Sequence, residues 1–313
     1  MAGYESAGFT LDGPGCFLYS FMLLLPLNII ENPMTSKPDP ASTANAFAGL
    51  PVFVVWPQKA LQALGESILN LLQKLGALVL FMGQALLHCV TPPFFFRQTL
   101  RQLIDIGYYS LPVVGMTALF TGMVLALQSY TGFTRFNAEG AIAGVVVLSV
   151  TRELAPVLAG LMVAGRVGAA IAAEIGTMRV TEQIDAMTTL SVNPFKYLIA
   201  PRIIAGTLML PVLVLIGDII GVLGGYVIAV YSLGFGSGSY LSQTWDILEV
   251  MDVVSGLVKA GVFGFIVTLL GCYHGYHSER GAQGVGAATT NAVVSASILI
   301  LIFNYILTQV FFS

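Results

Sequence analysis

Two adjacent charges, Arg152 and Glu153, interrupt the run AIAGVVVLSVTRELAPVLAGLMV, which is otherwise almost free of polar side chains. Lys259 interrupts a second such run, and Arg166, Asp218 and Asp252 stand in similar surroundings. If these runs cross a membrane, a charge at mid-depth costs about 2.5 to 3.5 kcal/mol on insertion scales, so it must face protein or a wet cavity. Arg152, Glu153 and Lys259 sit too near the middle of their runs to reach water by stretching along the helix. Two readings fit. The three form a structural network that locks helices together, or they line a polar cavity for a headgroup or other substrate.

Other reactive residues lack the company they would need. Cys272, His274 and His277 make a C-x-H-x-x-H cluster that could in principle hold a metal, but a fourth ligand is not evident and solvated histidines are common at helix ends. A phosphate-cradling loop needs Gly immediately before its Lys, and the lysines here follow Ser36, Gln58, Gln73, Phe195 and Val258. ATP hydrolysis by that device is excluded, and HExxH, GxSxG and kinase motifs do not occur. The stretch EIGTMRVTEQIDAMTTLSVNPFKYLIAPR, in contrast, concentrates Glu174, Arg179, Glu182, Asp185, Lys196 and Arg202. Within it Val180, Ile184 and Met187, spaced by four and three, form one apolar face of a short helix that should end before the turn pair Asn193-Pro194. So small a stripe cannot anchor in lipid and should dock on protein, either a partner or the chain's own bundle.

These residues need elements to carry them, and composition indicates which. Charged residues make up 9% of the 313 positions, against roughly 25% in soluble domains. Hydrophobic residues reach 56%, and the 34 glycines exceed ordinary usage, as expected where membrane helices approach closely. The expected fold is an all-α integral membrane protein. A net charge of -3 without a basic block gives no electrostatic basis for nucleic-acid binding. Three cysteines are too few for a disulfide framework. Five segments long enough to span run over about 104–131, 141–173, 203–231, 247–273 and 287–311. Arg97 and Arg101 precede the first, Arg179, Lys196 and Arg202 lie between the second and third, and Arg280 lies between the fourth and fifth. The opposite loops hold only Arg135, so the N-terminal side is predicted to be cytoplasmic and Ser313 outside. Gly-x-x-x-Ala spacings at 160/164, 165/169 and 168/172 mark faces where another helix can come close.

Upstream, residues 57–93 read as a helix that begins amphipathic, with Leu61, Leu64, Ile68, Leu71, Leu72 and Leu75 on one side, and that should lie in the membrane interface. Its second half, GALVLFMGQALL, is apolar enough for a re-entrant or full sixth span, and Thr91-Pro92-Pro93 ends it either way. Residues 1–56 are expected to be a dispensable or disordered extension with a Pro-, Ser- and Ala-rich linker. Its FLYSFMLLLPLNII stretch has no basic residue before it and no small-x-small site after it, unlike a signal peptide. Translation from Met34 is an alternative start.

The run VTRELAPVLAGLMVAGRVGAAIAAEIGTMRVTEQIDAM, followed by NPFKYLIAPR, closely resembles MlaE, the permease subunit of bacterial lipid-transporting ABC systems that work with MCE-domain proteins. GMVLALQ (122–128) and GVGAATTNAVVSAS (284–297) fit the same pattern, and the resemblance covers about 57–313. It implies an interfacial helix, five spans over 94–313, and a coupling helix over about 178–190 that meets the ATPase through Arg179, Val180, Glu182, Ile184, Asp185 and Met187. It also implies a homodimer, a cytoplasmic ATPase dimer that carries the ATP and magnesium, and an MCE hexamer on the periplasmic side, with no cofactor on this chain. The lipid cavity it implies is lined by Leu125, Gln128, Arg152, Glu153 and Leu154, with Lys259, Phe133 and Phe136 at the edges of the match. The expected function is therefore that of a permease moving phospholipid or a related lipid between the bacterial inner membrane and the outer-envelope pathway; a plastid inner envelope is the other possible host. The rival readings are an ion-coupled transporter using Arg152, Glu153 and Lys259 as a relay, and an intramembrane lipid-modifying enzyme, for which the spans offer no paired aspartates or nucleophile-His set.

Overall fold

The computed structural model describes residues 52–92, 95–136 and 139–312. The linker, the FLYSFMLLLPLNII stretch and Met34 lie outside the described residues, as does the side chain of Phe136. Every described element is helical, and Lys74–Ser313 forms the compact unit that holds the features below.

Helix α1 is Val52–Val90. After the break at Thr91-Pro92-Pro93 comes a first rod, made of α2 (Phe96–Gly107), a tight turn and α3 (Leu111–Phe133). The second rod joins α4 (Ile142–Ser149), α5 (Ala155–Val163) and α6 (Ala169–Val180) through two wider π-type turns, Val150–Leu154 and Ala164–Gly168. A short α7 (Gln183–Thr189) leads into a third rod centred on α8 (Ala200–Val227). Next come α9 (Ser237–Ile247), α10 (Val250–Tyr276) and α11 (Ala282–Phe312). Among the described residues, six helical stretches are long and apolar enough to cross a membrane: the five expected, and Ile68–Val90 within α1.

The rods pack through glycine. Neighbouring α3 and α8 run parallel, Gly122 of one against the backbone of Gly221 of the other, and Gly224 against the Leu119 carbonyl. Antiparallel α8 and α10 meet where Gly206 and Gly264 leave no room for a Cβ. Between α6 and α10, a Cβ on Gly271 would stand 3.0 Å from the Gly168 carbonyl oxygen, and one on Gly275 2.9 Å from that of Ala172. With little hydrophobic drive between helices in lipid, such close backbone approach is a principal source of association. Of the small-residue spacings in the second rod, Gly160 faces Phe263 and Ile300 and Gly168 faces Val267, whereas Gly165 faces nothing within 4 Å. Helix α10 sits at the centre, against α6, α8 and α11, and contributes the buried Phe263, Val267 and Leu270 to the core.

The alternation of the rods brings the basic loops together at one end of the bundle. Arg179 shares a cleft there with Arg280, and Arg101 shares another with Arg202. Residues 81–92 touch that same end throughout. Phe81 packs 5.2 Å from the Phe195 ring and 5.4 Å from Tyr273, Asn193 meets His88 at 3.0 Å, and Lys196 donates to the Pro92 carbonyl at 2.9 Å. This part of the chain therefore crosses the end of the bundle rather than following one rod along its length.

Three boundaries differ from the sequence reading. Helix α1 begins at Val52, not at Pro57. The SLGFGSGSYLSQTWD loop contains α9, whose Tyr240 is buried against Tyr226 with its hydroxyl unpartnered, and burial pushes that hydroxyl's pKa up to about 12. The expected helix over 178–190 is divided, because Val180 closes α6 and α7 is set off by Glu182 and Ser191, both at positive φ. As predicted, the helix stops before Asn193-Pro194, and the Asn193 side chain caps the third rod by accepting from the Phe195 amide at 2.9 Å.

The glycine contacts set a stability order. Gly264→Val should force α8 and α10 apart and cost about 1 to 3 kcal/mol or more. Gly165→Ala, with open space around it, should be neutral or stabilising by up to about 1 kcal/mol from helix propensity. Thermal unfolding of the purified variants in one detergent checks the order.

Candidate functional site

Four of the six charges that interrupt the spans, Arg152, Glu153, Asp252 and Lys259, converge on two linked ion pairs. The π-type turn Val150–Leu154 carries both Arg152 and Glu153 and sends them to different partners. Arg152 Nε donates to Asp252 Oδ1 at 2.7 Å, with a second contact at 2.6 Å from its terminal nitrogen. Asp252 also completes a capping box at the start of α10, its Oδ2 accepting from the Glu249 amide at 3.1 Å. The carboxylate that begins α10 thus also ties it to the second rod. The Arg152 guanidinium lies 4.4 Å over the Phe312 ring at the end of α11.

Glu153 turns to Lys259 and α11. Lys259 is fully buried and uses all three of its donors: to the Arg152 carbonyl at 2.9 Å, Glu153 Oε1 at 2.7 Å and Thr308 Oγ1 at 2.8 Å. Thr308 donates to Glu153 Oε1 at 2.9 Å, and Asn304 Nδ2 donates to Oε2 at 2.9 Å. Lys259 is therefore not on a cavity wall, and its role as a lining residue is corrected: its charge is consumed within the chain. Arg152 and Glu153 are each about one-third exposed and remain reachable.

The other expected lining residues lie elsewhere. Leu154 faces α3 across an apolar crevice with Thr117, Thr121 and Leu158. Leu125 and Phe133 pack half-buried against the core, while Gln128 is exposed. Among the described residues, the crevice that Leu154 lines includes neither Arg152 nor Glu153. Asp252, Asn304 and Thr308 were not assigned from sequence as partners in the site; Asp252 carried a signal, as a charge in an apolar run. Asp218 is buried with neither oxygen partnered, and Arg166 binds the Asp105 carbonyl and the Ser110 hydroxyl. The C-x-H-x-x-H side chains diverge. Cys272 points into the core, His274 meets Ser295 at 3.0 Å, and His277 meets the Tyr273 carbonyl at 2.9 Å.

At the basic end the stripe expected to enter an ATPase groove is instead largely occupied. Ile184 is 1% exposed within the chain's own core and Met187 packs beside it. Burial of this kind contributes about 1.5 to 3 kcal/mol to the bundle itself. What faces outward is polar: Glu182, Asp185 and Thr189, with Leu190 at 75% exposure. Arg179 pairs with Asp185 at 2.7 Å and lies over the Tyr276 ring at 5.8 Å.

The ion-pair geometry predicts an asymmetry. Glu153→Ala strands a fully buried ammonium among neutral oxygens and should destabilise by about 3 kcal/mol, whereas Lys259→Met leaves Glu153 hydrogen-bonded and partly solvated and should cost less. The Glu153→Ala, Lys259→Met double variant should recover most of the loss, a coupling that a double-mutant cycle of thermal unfolding reads directly.

The family described as Permease MlaE matches residues 99–310. A probable ABC transporter permease protein of Rickettsia bellii is 60% identical over 250 residues, covering 80% of this chain and 96% of the relative. The intermembrane phospholipid transport system permease protein MlaE of Haemophilus influenzae is 35% identical over 257 residues, covering 80% and 97%. The chloroplastic protein TRIGALACTOSYLDIACYLGLYCEROL 1 of Arabidopsis thaliana is 38% identical over 230 residues, covering 74% and 66%. With its glycine-packed helices and the ion pairs carried by its apolar runs, this multi-pass membrane protein belongs to the MlaE permease family.

Proposed function

We propose that the chain is the membrane-spanning permease of an ABC system that moves phospholipid or a related lipid between the inner membrane and the outer-envelope pathway, driven by a separate ATPase. The observation that carries this reading is the pair of charges, Arg152 and Glu153, each about one-third exposed and held within an apolar run by partners on α10 and α11. A phosphate-bearing headgroup is the kind of ligand that an arginine and a carboxylate so fixed can orient. The phospholipid transport named for the Haemophilus influenzae relative supports the substrate class. An ion relay is less well supported, because every donor of Lys259 is already committed.

The remaining assignments belong to the same proposal. ATP and magnesium would reside on a cytoplasmic ATPase dimer, since this sequence has no Gly-Lys phosphate loop. Two copies of the permease would bring their α3 faces, where Phe120 and Val124 are exposed, around a shared lipid cavity. An MCE-domain hexamer would take up the lipid outside. The basic end of the bundle would be cytoplasmic and α1 would lie in the adjoining interface, as its passage across that end suggests. The coupling surface is the outward face of α7, not its buried stripe.

Two measurements test this. Leu190→Asp with Glu182→Arg should reduce ATPase recovery on tagged permease while leaving permease stability within about 0.5 kcal/mol, as surface changes do. Ile184→Asp should instead unfold the permease. Retention of the ATPase by the first variant would refute the coupling surface. For orientation, single cysteines at Ser237 and Gln283, both exposed, should label oppositely with impermeant maleimide on intact spheroplasts, position 237 reacting and 283 protected.

A further inference from the structure

Helix α2 is amphipathic in an unusual sense. Its apolar residues Phe96, Leu100 and Ile104 are exposed, while Gln98, Arg101, Gln102 and Asp105 line a cleft of about 360 Å³ between α2, α6 and the start of the third rod. In a membrane protein the exposed apolar ridge suits lipid, but the polar face turned toward the bundle needs a polar occupant. Neither the Arg101 guanidinium nor the Asp105 carboxylate has an ion pair or side-chain hydrogen bond among the described residues. Across the cleft, Arg202 is 3% exposed, bound to Glu174 at 2.9 Å and to the Leu198 carbonyl, with its Nε left without a partner. Burying a guanidinium donor unpaired is costly unless a ligand or water completes it.

The cleft continues inward. A second volume of about 270 Å³ shares Gln102, Asp105 and Glu174 with the first and is walled by Ile106, Tyr109 and Ile171. From Glu174 to Arg166 is eight residues of the second rod, or about 12 Å toward the interior at 1.5 Å per residue. The mouth is polar and the depth mostly apolar, which is the shape of an amphiphile. At the mouth two arginines face two carboxylates, a balance that suits a zwitterion better than a net anion. Arg166 fixes the inner wall by holding the Asp105 carbonyl at 3.3 Å.

We propose that this cleft is a second lipid site, taking a zwitterionic phospholipid from the leaflet at the basic end, with its phosphate on Arg101 and Arg202 and its ammonium on Asp105. It deepens the lipid-transport reading and rests on it for the class of amphiphile.

The test is native mass spectrometry of the full-length permease with its ATPase, delipidated in mild detergent and titrated with phosphatidylethanolamine, phosphatidylglycerol or free phosphoethanolamine. Arg101 and Asp105 bind nothing within the chain through their side chains, so Arg101→Gln and Asp105→Asn should fold with unchanged thermal midpoints. Arg101→Gln should weaken both lipids about tenfold, the effect of losing one charge-assisted hydrogen bond. Asp105→Asn should weaken phosphatidylethanolamine alone and abolish its preference over phosphatidylglycerol, a change that a purely structural role would not produce. Lipid counts and preference unchanged in both variants would overturn the site while leaving the transport reading intact. Equal binding of free phosphoethanolamine would overturn the lipid as the source of the ligand. If the wild type shows the expected binding but the assembled complex moves no phospholipid, the site stands and the transport reading fails.

Discussion

A fully buried lysine is the constraint around which the spans are arranged. An ammonium removed from water and from lipid headgroups is tolerable only if each donor has an acceptor and its charge a counterion. Lys259 obtains these from three acceptors on two elements: a backbone carbonyl and a carboxylate of the second rod, and a hydroxyl of α11. Meeting that demand fixes the rotation of α10, the register of α11 and the local unwinding at Val150–Leu154 that points Arg152 and Glu153 to different sides. The same turn lets Arg152 reach Asp252, so the start and the first third of α10 are both held to the second rod. Networks of this kind contribute less to net stability than to the choice of one arrangement, since removing a single partner costs more than replacing the whole set.

The glycine contacts supply the attraction that charge pairing does not. Where Gly122 meets Gly221 and Gly206 meets Gly264, backbones come close enough for dispersion over long stretches. The rods can then be nearly rigid, and the polar groups stay within hydrogen-bonding distance without flexible loops to position them.

Much of this was legible in the sequence. Long apolar runs announce spans because lipid forbids unpaired backbone, and charges inside them stand out for the same reason. Which charge meets which was not legible. Arg152 and Glu153 are neighbours in sequence, yet their partners lie some hundred residues away, chosen by helix rotation that no local pattern encodes. The stripe Val180, Ile184, Met187 was read correctly as apolar, but periodicity gives the face and not the surface that covers it. Helix α9 is not announced by the sequence because Gly238 and three serines leave it little apolar periodicity, and its Tyr240 is buried by contact with Tyr226 of another element.

The burial of Ile184 changes how motion at α7 would reach the spans. A helix joined only by flexible loops could swing without moving anything else, but α7 is anchored by Ile184 in the core and braced through the Arg179–Asp185 pair. Arg179 lies over Tyr276 at the end of α10, and the Tyr276 ring packs at a tilt against Phe195 at 5.5 Å and Phe81 at 5.9 Å. A push on the outward face of α7 would therefore reach the central helix, the start of the third rod and the segment of α1 that crosses the bundle's end. Because α10 also carries Lys259 and Asp252, the rod that receives this push is the one that holds the intramembrane charges in place.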